Sequence, residues 1–113
     1  MSASVAFLFP GQGSQSVGMG RALHEVEPLA RARFEEADSI LGRSLSSRCF
    51  EGPEEDLRQT ENTQPALYVC SAAAADVLRE RGVEPTVVAG HSLGEYAALY
   101  AAGALDFETG LRL

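Results

Sequence analysis

Two short, uninterrupted apolar runs, far apart and each closed at once by a glycine turn, constrain this chain most. Val5 to Phe9 is followed by Pro10 and Gly11, and Thr86 to Ala89 is followed by Gly90. Neither run alternates with polar residues, so neither reads as a strand with one wet face. Both read as fully buried strands, the pattern of a parallel sheet covered on both sides.

Helical patterns connect and follow these runs. Gly11 to Gly20 is a glycine-rich loop leading into a helix. Pro28 suits the first turn of a helix whose apolar residues Leu29, Ala30, Phe34, Ala37 and Leu41 recur at helical spacing, and Gly42 stands where the C-terminal cap belongs. Ser44 to Leu57 reads as a polar connector with at most one short helix. Asn62 or Thr63 is expected to cap the next helix, with Pro65 in its first turn and a buried stripe of Leu67, Cys70, Ala73, Ala74, Val77 and Leu78. Arg79 and Arg81 complement the dipole of its last turn, and Gly82 ends it. Leu93 to Ala102 is a small-residue helix stopped by Gly103, and Asp106 can cap a final helix that is still running at Leu113.

The order strand, helices, strand, helix is that of an α/β protein with a parallel sheet. Ordinary sheets have about 5–6 strands, more than the two visible here. The expectation is that residues 1–113 are the N-terminal portion of a single larger domain.

Composition excludes several classes. The chain carries a net charge of −7, against the clustered cations that nucleic acid requires. All nine basic residues are arginine, which excludes a P-loop lysine or a Schiff base. Cys49 and Cys70 form neither a disulfide framework nor a metal-ligand spacing, and read as two buried thiols in a reduced cytosol. Nothing approaches the roughly 18 apolar residues of a membrane span. No basic n-region precedes the first apolar run, which argues against a signal peptide. The expected location is cytoplasmic, with no metal and no cofactor.

Gly90-His91-Ser92-Leu93-Gly94 matches the G-x-S-x-G nucleophile elbow. A sharp strand-to-helix turn forces the serine into a strained conformation and exposes its Oγ. The flanking positions must lack side chains so that strand and helix can pass closely. At a helix N-terminus, the dipole and free N–H groups favour developing negative charge. His91 is adjacent to Ser92, and neighbouring residues at a strand end point to opposite sides, so an orienting or packing role suits it better than that of base. His24 falls on a surface turn near the glycine-rich loop.

That loop, Gly11 to Gly18, fails both nucleotide patterns. G-x-G-x-x-G needs glycine where Ser16 stands, and a P-loop needs lysine where Met19 follows Gly18. It lies instead at the carboxyl end of a parallel strand, the same end as Ser92, where ligands bind in open α/β sheets. An oxyanion hole takes one N–H from the residue after the nucleophile, here Leu93, and one from another βα loop, for which Gln12 is the candidate.

Phe9 to Gln15 (F-P-G-Q-G-S-Q), Thr63 to Ala66 (T-Q-P-A) and Gly90 to Glu95 (G-H-S-L-G-E) together resemble the malonyl-CoA:acyl carrier protein transacylase family. The resemblance runs from Val5 to Leu113 and covers about the first third of a typical member. It implies an α/β-hydrolase-like acyltransferase fold and transfer of a malonyl group from malonyl-CoA to the phosphopantetheine thiol of acyl carrier protein, for fatty acid biosynthesis. It implies Ser92 as nucleophile, Gln12 and Leu93 as oxyanion-hole amides, and Gln64 as a residue lining the pocket beside His91. The family's histidine base and its carboxylate-binding arginine would both fall beyond Leu113. The first motif begins within ten residues of Met1, which favours a free-standing bacterial-type enzyme. A serine esterase or thioesterase would share the elbow without needing F-P-G-Q-G-S-Q. An inactive acyltransferase fragment is the other alternative; the activity is expected of the full-length enzyme, and the 113-residue piece alone is expected to be inactive because it lacks the base, the arginine and most of the sheet.

Overall fold

The computed structural model describes residues 4–112. Strand β1 (Ala6–Phe9) leads through helices α1 (Arg21–Val26), α2 (Pro28–Leu41), α3 (Leu45–Glu51), α4 (Glu54–Arg58) and α5 (Thr60–Glu80) to strand β2 (Val87–Gly90). Helices α6 (Gly94–Ala101) and α7 (Phe107–Arg112) follow. The strands pair in parallel, with Ala6 opposite Val87 and Phe9 opposite Gly90, so both end at one level and send their loops to one edge.

The expectation that both strands are buried on both faces is corrected. Phe7 and Phe9 point into the core, whereas Leu8 is 74% and Val87 57% exposed. Helix α6 packs against both strands on one face, and the other face keeps an apolar stripe of Ala6, Leu8, Val87 and Ala89 in the open.

The core lies between that covered face and helices α2, α5 and α6. Phe34, Leu45, Leu57 and Val69 are its largest sealed side chains. Helix α2 runs as its periodicity requires, burying Ala30, Phe34 and Ala37 and ending at Gly42 in the left-handed region, φ 68°. The connector holds two short helices rather than one, because Leu45, Cys49 and Leu57 each find a buried site and anchor α3 and α4.

Helix α5 starts at Thr60, earlier than expected, and Asn62 and Thr63 are not its caps. Their side chains reach back to α4: Asn62 Nδ2 donates to the Asp56 carbonyl at 2.7 Å, and Thr63 Oγ1 donates to that of Leu57. Pro65 therefore lies inside the helix and cannot bond the Glu61 carbonyl one turn back. Arg43 Nη2 supplies the missing donor at 2.6 Å. The buried face includes Leu67, Ala73 and Val77 as expected, but Ala74 is exposed and Leu78 is 40% exposed, while Tyr68, Val69 and Ala72 are buried. The stripe is wider and rotated because α2 and α6 pack on two sides of α5.

His24 is not on a turn. It sits in α1, half-buried, with its ring 4.9 Å from Phe50 and 5.8 Å from Phe34. Cys49 and Cys70 are free thiols, Cys49 buried and Cys70 partly so. A hydrogen bond to Cys49, and then burial, push the Cys70 thiol well up, so it stays protonated.

The last two helices are tied down by polar contacts in an apolar setting. Asp76 accepts from Arg33 Nε at 2.6 Å and from the Tyr100 hydroxyl at 2.8 Å. The Arg33 guanidinium also lies 5.1 Å from the Phe107 ring centre. Helices α2, α5, α6 and α7 thus share one junction. Asp106 caps α7 as expected, accepting from the Thr109 N–H at 2.8 Å; that bond holds its carboxyl below the usual range.

Candidate active site

Ser92 is the single non-glycine residue with positive φ among the described residues, at 54°. A left-handed serine costs about 1–2 kcal/mol, so the turn must be imposed by its surroundings. Three glycines impose it. A Cβ on Gly90 would overlap the Gly94 backbone, and one on Gly94 would overlap the carbonyls of Phe9 and Pro10. A Cβ on Gly11 would overlap the His91 carbonyl. Strand β2, helix α6 and the loop after β1 are therefore in backbone contact, and no side chain fits between them. The His91 N–H donates to the Phe9 carbonyl at 3.1 Å and extends the pairing by one residue before the chain turns.

The turn leaves Ser92 exposed, with α6 beginning two residues later. The Gln12 loop stands against it. Gly13, at φ 108°, donates its N–H to Gln15 Oε1 at 2.8 Å, and the Ser14 N–H closes back on the Gly11 carbonyl at 3.3 Å. Among the described residues, the backbone N–H groups of Gln12 and Leu93 have no hydrogen-bond acceptor. The Gln12 side chain reaches Thr60 Oγ1 at 3.4 Å, joining the loop to the start of α5.

An open cleft of about 1180 Å³ runs between α5, α6, α7 and the end of α2. Ser92, Leu93, Gln12 and Gln64 all line it, so four of the five residues singled out in the sequence meet at one surface. His91 does not line it; its ring lies beside Gly11. Gln64, on the exposed side of α5, makes no hydrogen bond among the described residues.

Sequence reasoning missed other lining residues. Tyr96 follows Ser92 by one helical turn, and that spacing could have found it. Tyr68 comes from α5; its hydroxyl donates to the Phe107 carbonyl at 3.0 Å and fills the space beside Gly110. Burial raises its pKa further, so it remains a donor. Arg43 enters from the turn after α2, and no local pattern marks it. Among the described residues no three His, Cys, Asp or Glu side chains cluster as metal ligands, and no helix is long and apolar enough to cross a membrane.

A serine held at positive φ between a parallel strand and a helix, facing unbonded amides from two βα loops, is the arrangement that acyl-transferring α/β proteins build around a nucleophile. The sequence profile of the acyl transferase domain matches residues 6–113, and the chain belongs to that family. Its relatives include the malonyl CoA-acyl carrier protein transacylases of Synechocystis sp., 55% identical over 108 residues, and of Bacillus subtilis, 55% identical over 104. The matches take in 96% and 92% of this chain but 36% and 33% of those proteins, so the chain spans about a third of the length of these curated relatives. A type II polyketide-synthase acyl-carrier protein in complex with its malonyl-transacylase superposes with a TM-score of 0.92 at 45% identity, over 97% of this chain and 36% of that one. The structure thus corresponds to part of an α/β acyltransferase domain.

Proposed function

We propose that this chain carries the nucleophile of a malonyl-CoA:acyl carrier protein transacylase, and that residues 1–113 contribute the elbow and the oxyanion loop to a single acyltransferase domain working in the cytoplasm. The observation that carries this reading is the strained Ser92 beside two free amides. The names of the relatives supply the acyl group and the carrier.

Ser92 Oγ attacks the thioester carbonyl of malonyl-CoA. The Gln12 and Leu93 N–H groups receive the oxyanion, and the positive end of α6 adds to their field. The coenzyme A thiolate leaves with a proton, giving a malonyl-serine ester. The phosphopantetheine thiol then attacks the same carbonyl, and Ser92 is released. Two half-reactions through one ester give ping-pong kinetics. Gln64 lines the acyl pocket. No histidine lines the cleft among the described residues, so the base that takes the serine proton is not assigned to this chain.

In the intact acyltransferase domain that contains residues 1–113, malonyl-CoA should add one malonyl mass, located by peptide mapping at Ser92. Ser92→Ala should abolish that label. Normal labelling of the alanine variant would overturn the assignment. Discharge to water as fast as to holo carrier protein would favour a hydrolase instead.

A further inference from the structure

Seven of the nine arginines have a carboxylate within 4 Å: Arg21, Arg33, Arg48, Arg58, Arg79, Arg81 and Arg112. In a chain with sixteen acidic residues this is unsurprising. Arg31 and Arg43 are the exceptions among the described residues, and of the two only Arg43 lines the Ser92 cleft.

Neutral oxygens hold Arg43. Its Nη1 donates to Asn62 Oδ1 at 2.6 Å and its Nη2 to the Glu61 carbonyl at 2.6 Å. The Glu61 carbonyl is free for this because Pro65 cannot bond it. Asn62 is itself fixed by its bond to the Asp56 carbonyl. The guanidinium is thus oriented without being neutralised. A guanidinium has five N–H donors, so after these two bonds the Nε–H and one N–H on each terminal nitrogen remain. Glu61 and Glu95 also line the cleft, but neither carboxylate lies within 4 Å of Arg43. A second cavity of about 540 Å³ shares Arg43, Gln59 and Glu61 with the first, so Arg43 stands where the two join.

A planar, uncompensated fork of donors matches the paired oxygens of a phosphate or a carboxylate. Malonyl-CoA and the holo carrier protein share one feature besides the thiol: a phosphate at the far end of the pantetheine arm. We propose that Arg43 binds that phosphate, so that one residue anchors both donor and acceptor while the arm runs along the cleft to Ser92. The inference rests on the malonyl-transfer reading above and adds a phosphate subsite to it.

The test compares malonyl-CoA with malonyl-pantetheine, which has the same thioester and no phosphate, in the intact acyltransferase domain, wild type and R43Q. The ratio of kcat/KM for the two thioesters cancels any general damage to the fold. Loss of a charge-assisted contact should lower that ratio by roughly ten- to hundredfold, with the change in KM, and R43K should recover part of it. Calorimetric titration with coenzyme A and with pantetheine should show the same loss in Kd. Holo carrier protein and pantetheine as acceptors then separate the sources. A change confined to the donor half-reaction assigns Arg43 to the coenzyme's phosphates, and one confined to the acceptor assigns it to the carrier's phosphodiester. An unchanged ratio in both half-reactions, with unchanged Kd, overturns the inference and leaves the transacylase reading standing. Wild type that turns over neither thioester removes that reading, and this inference with it.

Discussion

Replacing Ser92 separates backbone strain from chemistry. Both Ser92→Ala and Ser92→Gly remove the Oγ, so neither should form an acyl-enzyme. They differ in what they do to a residue held at φ 54°. Alanine keeps the Cβ and with it the left-handed penalty of about 1–2 kcal/mol. Glycine removes that penalty but gives back about 0.5–1 kcal/mol in chain entropy. The glycine variant should therefore be the more stable by about 0.5–1 kcal/mol, with the alanine variant close to wild type. With a urea m-value of about 2 kcal/mol/M, the denaturation midpoint of the glycine variant should lie about 0.4 M above that of the alanine variant. Unfolding followed by circular dichroism, with m compared between variants, reads this directly. An alanine variant as stable as the glycine variant would refute the reasoning: it would mean that the elbow relaxes, and that Gly11, Gly90 and Gly94 do not hold it.

Gly94→Ala places a Cβ against the Phe9 and Pro10 carbonyls. It should cost about 1–3 kcal/mol by overpacking and displace the elbow from the Gln12 loop, read as a lowered midpoint with slowed serine acylation. Asp76→Ala removes the shared acceptor of Arg33 and Tyr100. Both donors are partly buried, so a loss of about 2 kcal/mol is expected, and a double-mutant cycle with Tyr100→Phe should show non-additivity; additive losses would sink the network. Burial, and then the bond to Asp76, push the Tyr100 hydroxyl up to about 12. Its folded pKa is raised, so its contribution is complete below about pH 10, its unfolded value, and is lost as pH rises through 12. Absorbance at 295 nm during alkaline titration should show tyrosine ionising late, together with unfolding. Tyr100→Phe should remove that component, and its persistence would contradict the assignment.

The elbow and its facing loop were legible in the sequence because their physics is local. An apolar run, a glycine on either side of Ser92 and a small-residue helix behind it leave the chain little choice of backbone path. The Gly11–Gly13 loop announces its tightness in the same way. The end of α2 at Gly42 and the cap of α7 at Asp106 are likewise decided within one turn of the chain. Tertiary contacts decided the rest. Asn62 and Thr63 look like caps, yet they spend their side chains on α4 because that helix packs beside them. Pro65 looks like a first-turn residue, yet it lies deeper because an arginine from the turn after α2 satisfies the carbonyl it frees. The two apolar runs are strands as their composition requires, but which face is covered depends on where α6 docks, and periodicity within four residues does not encode that. Arg43 shows the difference most sharply. Its residue type is a local fact, but its being uncompensated and held at the Ser92 cleft depends on Glu61 and Asn62, eighteen and nineteen positions away in sequence.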